Sequence, residues 1–257
     1  MEKLTEYREH LKEMNVLESA MALLSWDQET HMPPKGIAAR SQVVGRLAKQ
    51  LFELSVSPRL GDLLASLLDS DALSIEEAAS VREMHKRYQR QKAIPAELVE
   101  EHAAARSHSQ AAWAEARKTS DFSLFEPWLR KMVEYARRFS DYYGYEGHPY
   151  NGLLEEYEPG MTVDGLTPII ESLRGELVPF LQRLQSEGTP PDGSPIRGTF
   201  PVERQRELAR RALESISYDF QAGALDDVAH PFTIGIAHGD IRVTNRYLED
   251  HLTSGLY

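Results

Sequence analysis

The sequence contains no cysteine. Disulfide frameworks, thiolate nucleophiles and sulfur-ligated metals are therefore excluded, and any metal would have to be held by histidine and carboxylate side chains. No apolar run approaches the roughly 20 residues that a membrane-spanning helix needs, and the opening residues Met1-Glu-Lys-Leu-Thr-Glu are charged where an export signal would be apolar. Basic residues are in deficit: 29 Lys and Arg against 40 Asp and Glu leave a net charge of −11. That balance disfavours nucleic acid and anionic membranes as partners. None of the nine histidines is followed by glutamate, so the helical zinc motif His-Glu-x-x-His is missing. A Gly-x-Ser-x-Gly nucleophile turn and a glycine-rich phosphate loop are missing too. The expectation is a cytoplasmic protein with neither nucleic-acid nor membrane partners.

What is present is helical periodicity over most of the chain. Apolar residues make up 41%, enough for a buried core. Leu4, Tyr7, Leu11 and Met14 predict an amphipathic first helix. A second, short apolar helix is expected from about Val16 to Leu24, running into Trp26-Asp27-Gln28 and stopped by Pro33 and Pro34. Trp26 and Asp27 read as a buried structural elbow, with Asp27 available to cap the following helix. The next helix starts near Ala38 and keeps Val44, Leu47, Leu51 and Leu54 on one face, and a Leu-rich one covers Leu60 to Leu68. Ser74 with Glu77 is a capping-box signature for a helix reaching about Lys92, and Pro95 opens another that runs to about Lys118. Ser123 with Glu126 marks one more start, with Leu129, Met132, Val133 and Ala136 toward the core.

Between Asp141 and Thr162 the composition turns aromatic and rich in Gly and Pro, which predicts a structured loop or short helix rather than a flexible linker. Glu155, Glu156 and Glu158 resemble paired carboxylates, but a charged loop flank is the better account of them. Thr162 or Asp164 caps a helix through Ile169, Leu173, Leu177 and Leu184, with Pro168 in its opening turn and a kink at Pro179. Residues 188–198 form a surface loop, and Pro201 starts a last helix with Leu208, Ala212, Leu213 and Ile216 inside.

Residues 223–257 change character. Two β-like runs, Phe232 to Ala237 and Ile241 to Tyr247, are joined by His238-Gly239-Asp240 as a tight hairpin. Strand alternation puts Asp240, Arg242, Thr244 and Arg246 on one face and Ile241, Val243 and Tyr247 on the other. Such a face is either a solvated strand surface or a site. His230 and His238, with Asp226, Asp227 and Asp240, supply enough ligand types for a mononuclear metal site, but spacing alone is weak support and a histidine near an apolar strand is more often structural.

Five ordered landmarks carry a resemblance: Trp26-Asp27-Gln28 with Met32-Pro33, Phe122-x-x-Phe125-x-Pro127, Tyr157-Glu158-Pro159-Gly160-Met161, His230-Pro231-Phe232 and Asp240-x-Arg242-x-Thr244. The chain resembles the M32 metallocarboxypeptidases, the group of thermostable carboxypeptidase Taq, along its whole length. The resemblance implies a mainly α fold, a multi-helix array with a small β-hairpin or sheet near the C-terminus beside a deep groove. It also implies homodimers or other self-association, and removal of single residues from peptide C-termini with zinc or another divalent metal. Residues 1–222 are then the helical region, and residues 223–257 a cleft-wall segment packed on it as one structural unit.

Members of that family are about twice as long, and their His-Glu-x-x-His helix is expected just beyond Tyr257. The expectation is therefore an N-terminal half that holds no metal or cofactor itself, has no catalytic residue of its own and takes a peptide substrate only when completed by a C-terminal half. His230, Pro231, Phe232, Asp240, Arg242 and Thr244 become candidate substrate-cleft residues. Arg242 would organise a carboxylate, either that of Asp240 or that of a substrate. The alternative is a non-catalytic helical binding or dimerisation module derived from the family, with apolar surface exposed along its helices and terminal strand.

Overall fold

The computed structural model describes residues 2–196 and 198–252; Arg197 of the predicted surface loop and residues 253–257 of the cleft-wall segment lie outside the described residues. The architecture is mainly α with one small sheet. Helix α1 (Glu2–Thr30) is continuous where two helices are expected. Its sequence contains neither Gly nor Pro, and Asn15 costs only a fraction of a kcal/mol in a helix interior, roughly 0.7 or less. It stops three residues before Pro33, and a 3-10 turn at Pro34–Gly36 leads into α2 (Ile37–Ser55) without a side-chain cap, so Asp27 does not cap it.

Helix α3 (Pro58–Leu67) starts with Ser57 accepting the Leu60 N–H at 3.3 Å, and α4 (Ile75–Gln91) carries the predicted capping box. The Ser74 hydroxyl takes the Glu77 N–H at 3.2 Å while the Glu77 carboxylate takes the Ser74 N–H at 2.8 Å. Helix α5 (Ala96–Thr119) follows Pro95. The expected Ser123 cap is not used. Asp121 accepts both the Ser123 N–H and its hydroxyl, forming a 3-10 turn at Phe122–Leu124, and α6 (Glu126–Tyr143) follows.

Two groups of side chains make the core. One joins α1, α3 and α4 through Leu4, Tyr7, Leu60, Leu64, Leu67 and Val81. The other joins α2, α5 and α6 through Phe52, Leu98, Ala105 and Tyr135. Helix α2 buries small residues, Ser41, Gly45 and Ala48, against α5, leaving its predicted leucine face half-buried. At Gly45 a Cβ would lie 2.9 Å from the Glu100 carbonyl oxygen, so the absent side chain is what permits this approach. In α6 the inner face is rotated from the predicted one. Tyr135 is buried with Trp128, Met132 and Phe139 packed around it, while Leu129 and Val133 face solvent.

The aromatic segment after α6 is ordered, as expected. It holds the short α7 (Asn151–Leu154), whose Asn151 side chain accepts the Val163 N–H and donates to the Glu146 carbonyl, both at 2.8 Å. The Glu155 carboxylate accepts the Gly160 N–H at 2.7 Å, a bracing role within the loop. Thr162 caps α8 (Val163–Glu187), with Pro168 in its second turn rather than its first. In α9 (Val202–Ser215) the buried residues are Gln205 and Ala209, whereas Leu208, Ala212 and Ile216 are exposed. The Gln205 amide donates to the Phe200 and Leu248 carbonyls at 2.7 Å each, tying α9 to the chain beyond the sheet.

The sheet has three strands, β1 (Gly223–Asp227), β2 (Thr233–Ala237) and β3 (Asp240–Asn245), in the order β1-β3-β2. The expected hairpin is β2–β3, turning through Gly239 at φ +79°. A third strand, β1, is not among the expected β runs and runs parallel to β3 from Gly223 opposite Ile241 to Asp227 opposite Asn245. A central β3 places Asp240, Arg242 and Thr244 between two neighbours and beside the end of α1.

Candidate functional site

The site is built from β3 outward. Thr244 is 1% exposed, and its hydroxyl accepts the Phe232 N–H and donates to the Phe232 carbonyl, each at 2.8 Å. The Thr244 N–H donates to the same carbonyl at 2.9 Å. The His-Pro-Phe and Asp-x-Arg-x-Thr motifs are therefore one physical unit, the second fixing the backbone of the first.

Two residues back, Arg242 forms a two-pronged pair with Asp240, Nε to Oδ1 at 2.9 Å and Nη2 to Oδ2 at 2.8 Å. These charge-assisted bonds hold the Asp240 carboxyl below its usual range, with burial opposing them. The face of the Arg242 guanidinium lies 4.2 Å from the Trp26 ring centroid, a cation–π contact. Trp26, 8% exposed, meets His31 edge-on at 5.0 Å, and His31 Nε2 lies 3.3 Å from Asp226 Oδ1. The polar face of β3 thus turns toward the end of α1, while Ile241 on the opposite face is exposed. Asp240 is one carboxylate that Arg242 organises.

Trp26 is buried as expected but sits inside α1 rather than at an elbow. Asp27 pairs with Arg40, and Arg40 also donates to the Leu24 carbonyl, which clamps α2 to α1. The Trp26 Nε1–H is buried and finds no hydrogen-bond partner among the described residues. Buried donors of this kind are rare and costly.

His230 is exposed at the other end of the site. It meets Trp113 edge-on at 6.0 Å, and Arg117 both donates to the neighbouring Ala229 carbonyl at 2.9 Å and lies 5.3 Å from the Trp113 ring. Glu29, on the last turn of α1, accepts from Gln110 at 3.0 Å. Burial pushes its carboxyl up, against the opposing effects of Gln110, His230 and Arg106. Pro231 connects His230 to the clasped Phe232, and both are half-buried.

No motif marks Glu29, His31, Trp113 or Arg117 as partners of these segments. Their signal was the cluster of polar residues closing α1, which has meaning only once the sheet is placed against it. The candidate metal ligands are dispersed: Asp226 is engaged by His31, Asp227 by Arg206 at 2.5 Å and Asp240 by Arg242, while His238 sits in the hairpin turn. Among the described residues no three His, Asp or Glu side chains gather as a metal-binding group. The described residues do not by themselves supply the ligand set of a catalytic divalent metal. Nor, among the described residues, is any helix long and apolar enough to cross a membrane.

Known proteins are similar to this chain in sequence and in overall fold. The chain is 36% identical to Carboxypeptidase 1 of Bacillus subtilis (strain 168) over 253 residues, 98% of this chain and 50% of that protein. It is 37% identical to Thermostable carboxypeptidase 1 of Thermus thermophilus over 262 residues, 97% of this chain and 51% of that one. A crystal structure of BsuCP superposes with a TM-score of 0.95 at 35% identity, covering 100% of this chain and 52% of its own. The chain thus spans about half the length of the curated relatives it matches. The model of the carboxypeptidase Taq (M32) metallopeptidases matches residues 6–257. With the two interlocked motifs in place and the match running almost end to end, the chain belongs to the carboxypeptidase Taq (M32) metallopeptidase family.

Proposed function

We propose that this chain supplies the N-terminal half of a metal-dependent carboxypeptidase, one wall of the cleft in which the C-terminal residue of a peptide is removed. The observation that carries the reading is the clasp of Thr244 on Phe232, which locks the two motifs beside Trp26 and Arg242. His230, Pro231 and Phe232 border the peptide, while Asp240, Arg242 and Thr244 hold that border in place.

The complementary half brings the catalytic divalent metal, zinc in the first instance, and the His-Glu-x-x-His helix that holds it. A hydrolytic metal needs fixed protein ligands and a general base, and among the described residues no such ligand group is gathered. The indole N–H of Trp26, unpartnered among the described residues, supports the reading, because a completing segment with an acceptor at that point would satisfy it. The working protein is cytoplasmic, and homodimers form from completed subunits.

The experiment mixes this chain with a polypeptide covering the part of Bacillus subtilis Carboxypeptidase 1 that it does not match. Release of single C-terminal residues is then measured with zinc and with chelator. Zinc-dependent release in the mixture only is the expected result, and a mixture as inactive as its parts contradicts the reading.

A further inference from the structure

Helix α8 is amphipathic, yet it buries none of its 25 residues. Ile169, Ile170, Leu173, Leu177, Leu181 and Leu184 all face solvent, Leu173 at 57% exposure. At 100° per residue they fall within a stripe about 120° wide, running along a helix on the order of 37 Å long. Arg174 and Glu176 border the stripe, and Glu171 and Arg183 lie farther round. Thr162 and Asn151 anchor its first turn, and among the described residues α8 packs broadly against no other element.

We propose that this stripe is the docking strip for the complementary half of the M32 fold, which makes α8 the seam between the halves. The inference rests on the half-enzyme reading and deepens it by naming where the partner sits. Solved relatives carry nearly as much chain again as is present here, and that additional chain is the body available to cover the stripe. A two-helix coiled coil buries a narrow seam of two positions in seven, whereas a stripe wider than about 100° is the mark of a helix facing a globular core. Its occupant is therefore a multi-element body rather than one helix of a second copy. Contiguous apolar surface of this extent is uncommon on a finished monomer.

The test measures binding of the unmatched half of Bacillus subtilis Carboxypeptidase 1 to the wild-type chain, to Leu173→Glu/Leu177→Glu, and to Gln182→Glu on the opposite face. All three positions are exposed, so folding is checked by circular dichroism and thermal midpoint. Hydrogen exchange of residues 163–187 is followed in the wild-type mixture. The expected result is an affinity at least about 100-fold weaker for the double variant, no change for Gln182→Glu, and slowed exchange along α8. If the double variant binds as tightly as wild type, the strip lies elsewhere and this inference fails while the half-enzyme reading stands. If the half neither binds nor restores activity, both fail. Wild-type dimers that the double variant dissolves and the added half does not displace would identify a second copy as the occupant and overturn the proposal.

Discussion

The Thr244 hydroxyl clasps both polar groups of the Phe232 backbone, across twelve residues of sequence and in the driest part of the sheet. This relationship predicts that Thr244→Val, which keeps the shape and deletes the hydroxyl, destabilises the chain. The Phe232 N–H loses its acceptor in a buried setting, a cost of about 1–3 kcal/mol. Thr244→Ser keeps the hydroxyl and loses less. Denaturant unfolding of the three proteins, compared at equal slope, checks the order.

Asp240 gives a pH-dependent prediction. Its folded-state carboxyl lies below the ordinary value because Arg242 binds the charged form. A depressed carboxyl contributes stability above its unfolded value, and the contribution is lost as pH falls through the folded value. Asp240→Asn should therefore cost stability at neutral pH and cost nothing in acid. The pair is partly exposed, so the neutral-pH cost is about 1 kcal/mol or less. Thermal midpoints of both proteins from neutral pH into acid provide the test, and a gap that widens in acid contradicts it.

Glu29 has the opposite sign. Burial raises its carboxyl, so the folded state binds that proton more tightly than the unfolded chain does. Its ionisation weakens the fold as pH rises through the ordinary and then the raised value. Glu29→Gln keeps an acceptor for Gln110 and removes the charge. A midpoint raised by about 2 °C or less at neutral pH is expected, shrinking to no difference in acid.

At the far end of the molecule, Ser74→Ala removes the hydroxyl that caps α4 and leaves the Glu77 N–H without its acceptor. A loss of about 1 kcal/mol is expected. Ser74→Asp, which restores an acceptor at the cap, should recover most of it. Urea unfolding of the three chains decides.

Features held by near neighbours in sequence were legible in advance. The Ser74–Glu77 box and the hairpin at Gly239 depend on bonds spanning a few residues, and both are found. The inner faces of α6 and α9 were misread because a helix with apolar residues on more than one side is oriented by its neighbours. Tyr135 and Gln205 won those places through partners distant in sequence. Strand β1 gave no alternation to read, since Gly-Ala-Leu-Asp-Asp becomes a strand only through its parallel pairing to β3. The motif residues stood out by resemblance, but their purpose did not. The ring that Arg242 stacks on belongs to Trp26, more than two hundred residues away, a contact that no local pattern announces.

The central claim is that this chain is one wall of a carboxypeptidase site and needs the other half for chemistry. It is tested most directly by measuring free amino acid released from a peptide by the zinc-supplied chain alone and by an equimolar mixture with the complementary half. The account predicts no release above the uncatalysed rate from the chain alone, and stepwise loss of single C-terminal residues from the mixture. Equal release by the chain with and without its complement would contradict it.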